Sequence, residues 1–250
     1  MHKCIKSFMI SREIISLKSK GNRMDKIKPN FVLFDLDGTL IDSVPDLSFC
    51  VDEMMKQIGM PVRGERLVRN WLGNGVQRLV ERALVGSDEC MPAQELMDRA
   101  YPIFLNLYKH NNSLRSCIYD GVVEGLKWML TQGYRIACVT NKPQTFAIPL
   151  LKDKGLYDYF EFVISGDTCA EKKPHPMPLL NAAKRMNFTP QSGLMIGDSR
   201  SDIKAARSAG LHIFCMTYGY NHGEDIRDYK PDITLDSFTE LVNHLETKIN

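Results

Sequence analysis

The sequence lacks a run of about 18 consecutive apolar residues, so it predicts no membrane-spanning helix. It also lacks a strong charge of either sign, because 32 basic residues face 30 acidic ones. That balance predicts neither a nucleic-acid-binding protein nor a strongly acidic surface. Internal repeats and low-complexity tracts are absent, and 44% of the 250 residues are hydrophobic, which excludes fibrous and wholly disordered proteins. An ordinary globular protein with a sizeable apolar core remains.

Paired cysteines are also missing. None of the seven cysteines forms a C-x-x-C motif, and their number is odd. This argues against a zinc site and against a disulfide framework. Cys138 and Cys215 lie within apolar runs, as buried thiols do. We therefore expect reduced cysteines in a cytoplasmic protein.

The charge is concentrated at the start of the chain. Residues 1–23 hold six basic residues and one acidic residue, whereas the remainder holds 26 basic and 29 acidic residues. No secretory signal is predicted there, because the segment has no uninterrupted apolar run and no small-residue cleavage site. Three interpretations stay open: a translation start upstream of the native one at Met24, a disordered basic arm, and a transit peptide or membrane-surface helix. The segment is left out of the fold prediction.

Short apolar runs recur along the chain, and each is followed by a polar turn and a helical pattern. The runs are nearly continuous rather than alternating, which is typical of strands buried on both faces. We predict strands at Phe31–Phe34, Arg135–Val139, and residues 160–164, 194–196 and 213–216. Helices are expected between them, one ending before Gly133 and one at Gly210. The alternation predicts an α/β fold, a Rossmann-like parallel sheet with helices on both faces.

One region breaks this alternation. From Val44 to about Ser116, apolar residues recur only at helical spacing, which predicts three helices. The third covers about residues 93–109, with Pro102 as a kink or boundary. We therefore predict a helical insert (residues 44–116) placed after the first strand. The remaining core comprises residues 24–43 and 117–250.

Two pairs of carboxylates follow predicted strands. Asp35 and Asp37 come directly after the first strand, and Asp198 and Asp202 follow the strand at 194–196. Ligands bind at the carboxyl edge of an open α/β sheet, so the four side chains are expected to meet there. Carboxylates in such proximity repel one another unless a cation or a proton compensates. The pattern indicates a metal site or an acid/base site.

Other strand ends carry groups suited to an anion. Thr140 and Asn141 follow the strand at Arg135–Val139, and their hydroxyl and amide suit the oxygens of a bound anion. Lys173, which precedes a proline, is the predicted point charge for phosphate, although the neighbouring Lys172 stays open as an alternative. Oxygen-only ligands suit a hard cation, above all Mg²⁺. Carboxylates, Mg²⁺ and a lysine together suit phosphoryl transfer.

The D-x-D-G-T motif at residues 35–39 and the later G-D-x-x-x-D motif at 197–202 resemble those of the haloacid dehalogenase-like superfamily, in its phosphatase branch. The resemblance extends over nearly all of residues 30–245. It implies that Asp35 is the nucleophile and that Asp37 is the general acid/base. It also implies that the helical insert is a mobile cap that closes over the site.

The same resemblance implies roles for the other strand ends. Thr140 and Lys173 are expected to hold the transferring phosphoryl group. Asp35 and Asp198 are expected to bind the metal, together with Asp37 through its main-chain carbonyl. These roles describe hydrolysis of a phosphomonoester through an aspartyl-phosphate.

The segments GNGVQRLVERAL and VTNKP carry a finer resemblance, to a phosphatase of this family that acts on 2-phosphoglycolate. Thr39 and Asn141 are expected to contact the substrate. Arg78 and Arg82, one helical turn apart in the insert, are candidates for binding a substrate carboxylate. The expected partner is thus a small phosphorylated metabolite, without nucleic acid or membrane. The sequence does not distinguish a monomer from a homodimer.

Several alternatives stay open. The same fold and site are compatible with a sugar-phosphate phosphatase, a phosphomutase or a pyrophosphatase. A dehalogenase needs a carboxylate nucleophile but no metal, which leaves Asp37 and Asp198 unexplained. A binding module with an inactive site would lack one of the motif residues, and none is missing.

Overall fold

The structure, a computed structural model, describes residues 28–73, 75–87 and 90–246. The basic segment 1–23 lies outside the described residues. The strands are β1 Phe31–Phe34, β2 Ile41–Asp42, β3 Cys117–Ile118, β4 Arg135–Val139, β5 Val163–Ile164, β6 Gly193–Gly197, β7 His212–Met216 and β8 Ile233–Leu235. The α-helices are α1 Val44–Gln57, α2 Glu65–Trp71, α3 Val76–Val85, α4 Gln94–Asn111, α5 Val122–Thr131, α6 Gln144–Asp153, α7 Met177–Arg185, α8 Arg200–Ala209 and α9 Phe238–Glu246.

Six strands form one parallel sheet in the order β5–β4–β1–β6–β7–β8. All four residues of β1 are buried, as the continuous apolar run predicts for a central strand. The last residue of β1, Phe34, is level with Cys138 on β4 and with Ile196 on β6. The residues that follow these three strands therefore lie side by side at the carboxyl edge of the sheet.

Helices cover both faces of the sheet. On one face α5, α6 and α9 bury apolar residues such as Leu126, Leu150 and Leu241. On the other face α7 and α8 bury Leu179 and Ala206. The predicted α/β fold is confirmed. Among the described helices, none has both the length and the apolar character needed to cross a bilayer.

Two strand predictions need correction. Within the predicted strand 160–164 the regular strand covers only Val163–Ile164, although main-chain hydrogen bonds also join Glu161 to Ile136 (3.0 Å) and Phe162 to Cys138 (3.2 Å) of β4. The edge strand β8 was not predicted. It is three residues long and only Leu235 in it is buried, so its hydrophobic pattern is too short to recognise.

The helical insert holds four helices, α1 to α4, around an apolar cluster of their own. The prediction of helices after the first strand is confirmed, but the number three is wrong. The seven-residue α2 was not predicted, because only Val68 and Trp71 in it are buried and two residues do not form a recognisable helical pattern. Pro102 does not end α4, which continues from Gln94 to Asn111. The domain division at residues 43/44 and 116/117 stays a proposal.

The chain enters and leaves the insert at adjacent points. The short strands β2 and β3 pair antiparallel, with Ile41 opposite Ile118. Beside them, the fully buried Asp46 at the start of α1 accepts hydrogen bonds from the main-chain N–H of Arg115 (2.9 Å) and of Ser116 (2.8 Å). The two connections are thus fastened to each other.

Candidate active site

A cavity opens at the carboxyl edge of the sheet, beneath the helical insert. Its sheet side is formed by residues that follow β1, β4 and β6, and its other side by the insert and the loop after β7. The lining residues are Asp35, Asp37, Leu47, Leu72, Gly73, Gly75, Val76, Thr140, Asn141, Lys142, Asp198, Ser199 and Tyr220. The strand ends predicted to converge therefore do so.

Asp35 directly follows the central strand and is only 13% exposed. Its Oδ1 accepts a hydrogen bond from the N–H of Leu36 (2.7 Å) and lies 3.0 Å from Nζ of Lys173. Among the described residues, none donates a hydrogen bond to its Oδ2. Burial raises the pKa of Asp35 to about 6, against the opposing effect of the Lys173 ammonium. One oxygen is thus held in place while the other is left for chemistry.

Lys173 is buried between two carboxylates, with 1% of its side chain exposed. Its Nζ lies 2.7 Å from Oδ1 of Asp202 and donates to the carbonyl oxygen of Val139 (2.7 Å). Burial alone would lower the pKa of Lys173, but the charges of Asp202 and Asp35 outweigh it and raise the pKa above its usual value. The neighbouring Lys172 is exposed. The choice of Lys173 over Lys172 as the lysine beside Asp35 therefore agrees with the geometry.

Asp198 is buried beside Asp35. Its Oδ1 accepts a hydrogen bond from Thr39 Oγ1 (2.7 Å) and its Oδ2 accepts one from the N–H of Tyr220 (2.6 Å). A Cβ at Gly38, which has φ +87°, would lie 2.3 Å from the Asp198 carboxylate, so only glycine fits there. Burial, and after it the charge of the nearby Asp35, raises the pKa of Asp198 well above its usual range.

Thr39 lies against the carboxylate of Asp198, and its contact with a substrate stays a prediction. Its side chain is fully buried, and its hydroxyl donates to Asp198 rather than facing the cavity. Thr39 therefore orients the carboxylate of Asp198. The sequence could not reveal this, because a hydroxyl next to a ligand-binding turn suits either role.

Asp202 completes the acidic group. It is fully buried on the first turn of α8, where Ser199 and Asp202 form a reciprocal capping box. Carboxylate oxygens of Asp35, Asp198 and Asp202 all lie within 4.8 Å of one another. The sequence placed Asp202 at the same edge but did not name it as a metal ligand. The four-residue spacing from Asp198 was the available signal.

This cluster fits a divalent cation. In the part of the chain that the structure describes, the site holds four carboxylates, those of Asp35, Asp37, Asp198 and Asp202, and the ammonium groups of Lys142 and Lys173, which gives it an excess of negative charge. Burial is the main cause of the raised pKa values of Asp35 and Asp198, and the charges of neighbouring carboxylates raise them further. A donor set made only of oxygens prefers a hard cation. The carboxylate of Asp37 is not part of the cluster, since it pairs elsewhere.

Asp37 is held by a lysine that the sequence analysis did not single out. Nζ of Lys142 lies 3.0 Å from Oδ1 and 3.3 Å from Oδ2 of Asp37. Nζ also donates to the hydroxyl of Tyr108, which belongs to α4 of the insert. The only signal in the sequence was a lysine within the T-N-K segment after β4.

Thr140 and Asn141 both line the cavity, but their side chains differ in what they contact. Thr140 Oγ1 accepts a hydrogen bond from the N–H of Lys142 (3.1 Å), which leaves its proton for an anion. Asn141 Nδ2 donates to the carbonyl oxygen of Lys173 (2.8 Å) and to that of Gly73 (3.4 Å). Asn141 therefore joins the loop after β4 to the Lys173 loop and to the insert.

The two arginines considered for a substrate carboxylate do not line this cavity. Arg82 is buried and donates to the carbonyl oxygen of Trp71, while Arg78 pairs with Glu81 at 2.9 Å. Both line a separate cleft that also contains Lys172. The structure therefore does not bring them to Asp35.

A model of the haloacid dehalogenase-like hydrolase family matches residues 32–216. The chain is 57% identical to the phosphoglycolate phosphatase of Nitrosococcus oceani over 218 residues, which are 87% of this chain and 97% of that relative. It is 43% identical to the phosphoglycolate phosphatase of Pseudomonas putida over 215 residues, covering 86% of this chain and 79% of the relative.

Solved structures show the same similarity. The crystal structure of a predicted phosphoglycolate phosphatase from Haemophilus somnus superposes with a TM-score of 0.82 at 34% identity, covering 86% of this chain and 97% of that chain. That of a putative phosphoglycolate phosphatase from Lactobacillus delbrueckii gives a TM-score of 0.80 at 23% identity, which shows the fold alone.

Proposed function

Since the chain belongs to the haloacid dehalogenase-like hydrolase family, we propose that it is a Mg²⁺-dependent phosphomonoester hydrolase whose substrate is 2-phosphoglycolate. The observation that carries this proposal is the state of Asp35. Asp35 lines the cavity, and its Oδ1 is held by the N–H of Leu36 and by Nζ of Lys173. Its Oδ2 accepts no hydrogen bond from the described residues. A carboxylate held in this way is suited to attack phosphorus.

The proposed reaction has two steps. In the first, Oδ2 of Asp35 forms a bond to phosphorus while the bond from phosphorus to the ester oxygen breaks. Asp37, which lines the same cavity, donates a proton to the leaving oxygen. In the second step a water attacks phosphorus and Asp37 takes a proton from that water. The bond between phosphorus and Oδ2 of Asp35 breaks, which regenerates the Asp35 carboxylate and frees inorganic phosphate.

Charge on the phosphoryl oxygens needs compensation in both steps. Thr140 donates its hydroxyl proton, and Lys173 provides a positive charge next to the oxygen of Asp35 that does not attack. The side chains of Asp35 and Asp198 and the main-chain carbonyl of Asp37 would hold Mg²⁺, with Asp202 beside them. When bound, Mg²⁺ supplies the positive charge that lets an anionic carboxylate approach an anionic phosphoryl group.

The insert side of the cavity supports a small substrate. Among the described residues it is formed by Leu47, Leu72, Gly73, Gly75 and Val76, whose side chains offer no hydrogen-bonding group to the hydroxyls of a sugar. The first turn of α3, which begins at Val76, has no side-chain cap and favours an anionic group. The names of the relatives from Nitrosococcus oceani and Pseudomonas putida support 2-phosphoglycolate.

The proposed location is the cytoplasm. Six cysteines are free thiols among the described residues, and Cys50, Cys138 and Cys215 are buried in the apolar core. Unpaired thiols of this kind are typical of a reducing compartment.

Mg²⁺ is expected to stabilise the fold in a pH-dependent manner. Without metal, the pKa of Asp35 is about 6 rather than 3.8, so the folded chain holds this proton more tightly than the unfolded chain. The free energy of unfolding of the metal-free protein therefore falls as the pH rises from about 4 to about 6, by up to about 3 kcal/mol from this group. A bound cation removes that loss because it favours the ionised carboxylates. We expect Mg²⁺ to raise Tm more at about pH 7 than at about pH 5.

Thermal unfolding with Mg²⁺ and with EDTA at each pH measures this effect. Taking the difference in Tm at a single pH cancels the titration of other groups, and NaCl at matched ionic strength controls for salt. An equal increase at both pH values would contradict the assignment of the cation to the buried carboxylates.

The activity itself is tested by phosphate release from 2-phosphoglycolate, with and without Mg²⁺, alongside a panel of sugar phosphates, pyrophosphate and aryl phosphates. A marked preference for 2-phosphoglycolate that requires Mg²⁺ supports the proposal. Mg²⁺-dependent release mainly from another ester would agree with the proposed mechanism but identify a different substrate. Absence of release from every ester, with interconversion of sugar-phosphate isomers, favours a phosphomutase.

A further inference from the structure

Lys142 is fixed from several directions although it belongs to a loop. Its N–H donates to Thr140 Oγ1 (3.1 Å), and its carbonyl oxygen accepts from the N–H of Gly166 (3.0 Å). Only 1% of its side chain is exposed. A buried ammonium is costly unless it is paired, and here Nζ contacts both oxygens of the Asp37 carboxylate. The rotation of that carboxylate is therefore restricted.

The opposite contact of Lys142 comes from the helical insert. Tyr108 on α4 is fully buried. The centroid of its ring lies 4.7 Å from that of Phe146 and 5.5 Å from that of Phe104. Its hydroxyl oxygen accepts a hydrogen bond from Nζ of Lys142. Burial raises the pKa of Tyr108 well above its usual value, so the hydroxyl stays neutral and does not compete with Asp37 for the positive charge.

We propose that Lys142 is the positioning residue of Asp37, and that Tyr108 makes this positioning depend on the packing of α4 against the core. The inference rests on the proposed function, in which Asp37 gives and takes the proton. Two lysines then position different carboxylates of the site. Lys173 holds the carboxylate that attacks, and Lys142 holds the carboxylate that transfers the proton. The contact between Tyr108 and Lys142 joins α4 of the insert to the carboxylate of Asp37, so the alignment of Asp37 depends on this packing.

The variants Lys142→Met and Tyr108→Phe test this inference. Methionine keeps the length of the side chain and removes the charge, while phenylalanine keeps the buried aromatic ring and removes the hydroxyl. Lys184→Met, an exposed lysine on α7, is the matched control. Thermal unfolding of each variant reports whether it is folded.

Two substrates separate positioning from a general structural defect. With 2-phosphoglycolate the leaving oxygen needs a proton, so Lys142→Met is expected to lower kcat by about 10²-fold with KM changed less than about threefold. With 4-nitrophenyl phosphate the leaving group needs no proton. The first step then proceeds at close to the wild-type rate, and stopped-flow absorbance shows a burst of about one nitrophenolate per site before slow turnover. Tyr108→Phe is expected to lower kcat in the same direction, by about tenfold.

The outcomes are distinct. The combination of lost kcat and a retained burst supports the inference, and Lys184→Met is expected to match the wild type. Loss of the burst in Lys142→Met would overturn it, because Asp35 is then disturbed as well. An increased KM with unchanged kcat would overturn it in favour of direct contact between Lys142 and the substrate. If the wild type itself releases phosphate from no ester, the proposed function fails and the inference fails with it.

Discussion

The variant Asp35→Asn is expected to lose phosphate release by at least about 10⁴-fold in kcat, because an amide oxygen cannot form the phosphoryl ester that the first step requires. Its fold is expected to persist. The substitution removes a buried carboxylate whose charge is unfavourable at that position, and Lys173 keeps its contact with Asp202. The Tm of the metal-free variant is therefore expected to equal or exceed that of the wild type. Phosphate release and thermal unfolding with EDTA measure the two effects.

The matched control is Asp158→Asn, which removes the same charge from an exposed position. Its activity and Tm are expected to match those of the wild type. Substantial turnover by Asp35→Asn would show that another group attacks phosphorus. A large fall in its Tm would show that the carboxylate of Asp35 stabilises the fold.

Lys173→Met is expected to remove activity and stability together. The substitution leaves the carboxylates of Asp35 and Asp202 buried without their shared cation. Removing one partner of a buried ion pair costs about 3–5 kcal/mol in the free energy of unfolding. Urea unfolding and phosphate release measure the two losses. The adjacent Lys172→Met is the matched control, and it is expected to change neither, because Lys172 is exposed.

A second variant keeps this prediction testable if Lys173→Met does not fold. The double variant Lys173→Met with Asp202→Asn removes one of the uncompensated charges, so it is expected to recover part of the lost stability. It is not expected to recover activity, since the charge beside Asp35 is still missing. Equal losses in Lys172→Met and Lys173→Met would contradict the assignment.

The convergence of the acidic residues was predictable from the sequence for a geometric reason. Asp35 and Asp198 each follow a continuous apolar run, and the carboxyl ends of adjacent parallel strands meet at one edge. Lys173 was placed at the same edge as a point charge for phosphate, although the sequence left Lys172 open as an alternative. These inferences need only the order of the strands and the position of each residue after a strand.

Contacts that depend on the direction of a side chain were not predictable. The sequence places Lys142 at the edge of the sheet but does not indicate that it reaches both Asp37 and Tyr108, which precedes it by 34 residues. Thr39 shows the same difficulty, since its hydroxyl faces Asp198 rather than the cavity. Periodicity also failed for α2, where two buried residues in seven leave too little pattern.

The pairing of β2 with β3 has a consequence for how the protein tolerates change. Because Ile41 lies opposite Ile118, the ends of the four-helix excursion are held at one hydrogen-bonded spacing, whatever the length of chain between them. Lengthening such a loop costs only about 0.6 kcal/mol for each doubling of its length. The excursion can therefore be enlarged, shortened or exchanged as a unit without altering the register of the sheet. Selectivity for the ester can thus diverge by replacing this unit, while Asp35, Thr140 and Asp198 stay at the ends of the strands that hold them.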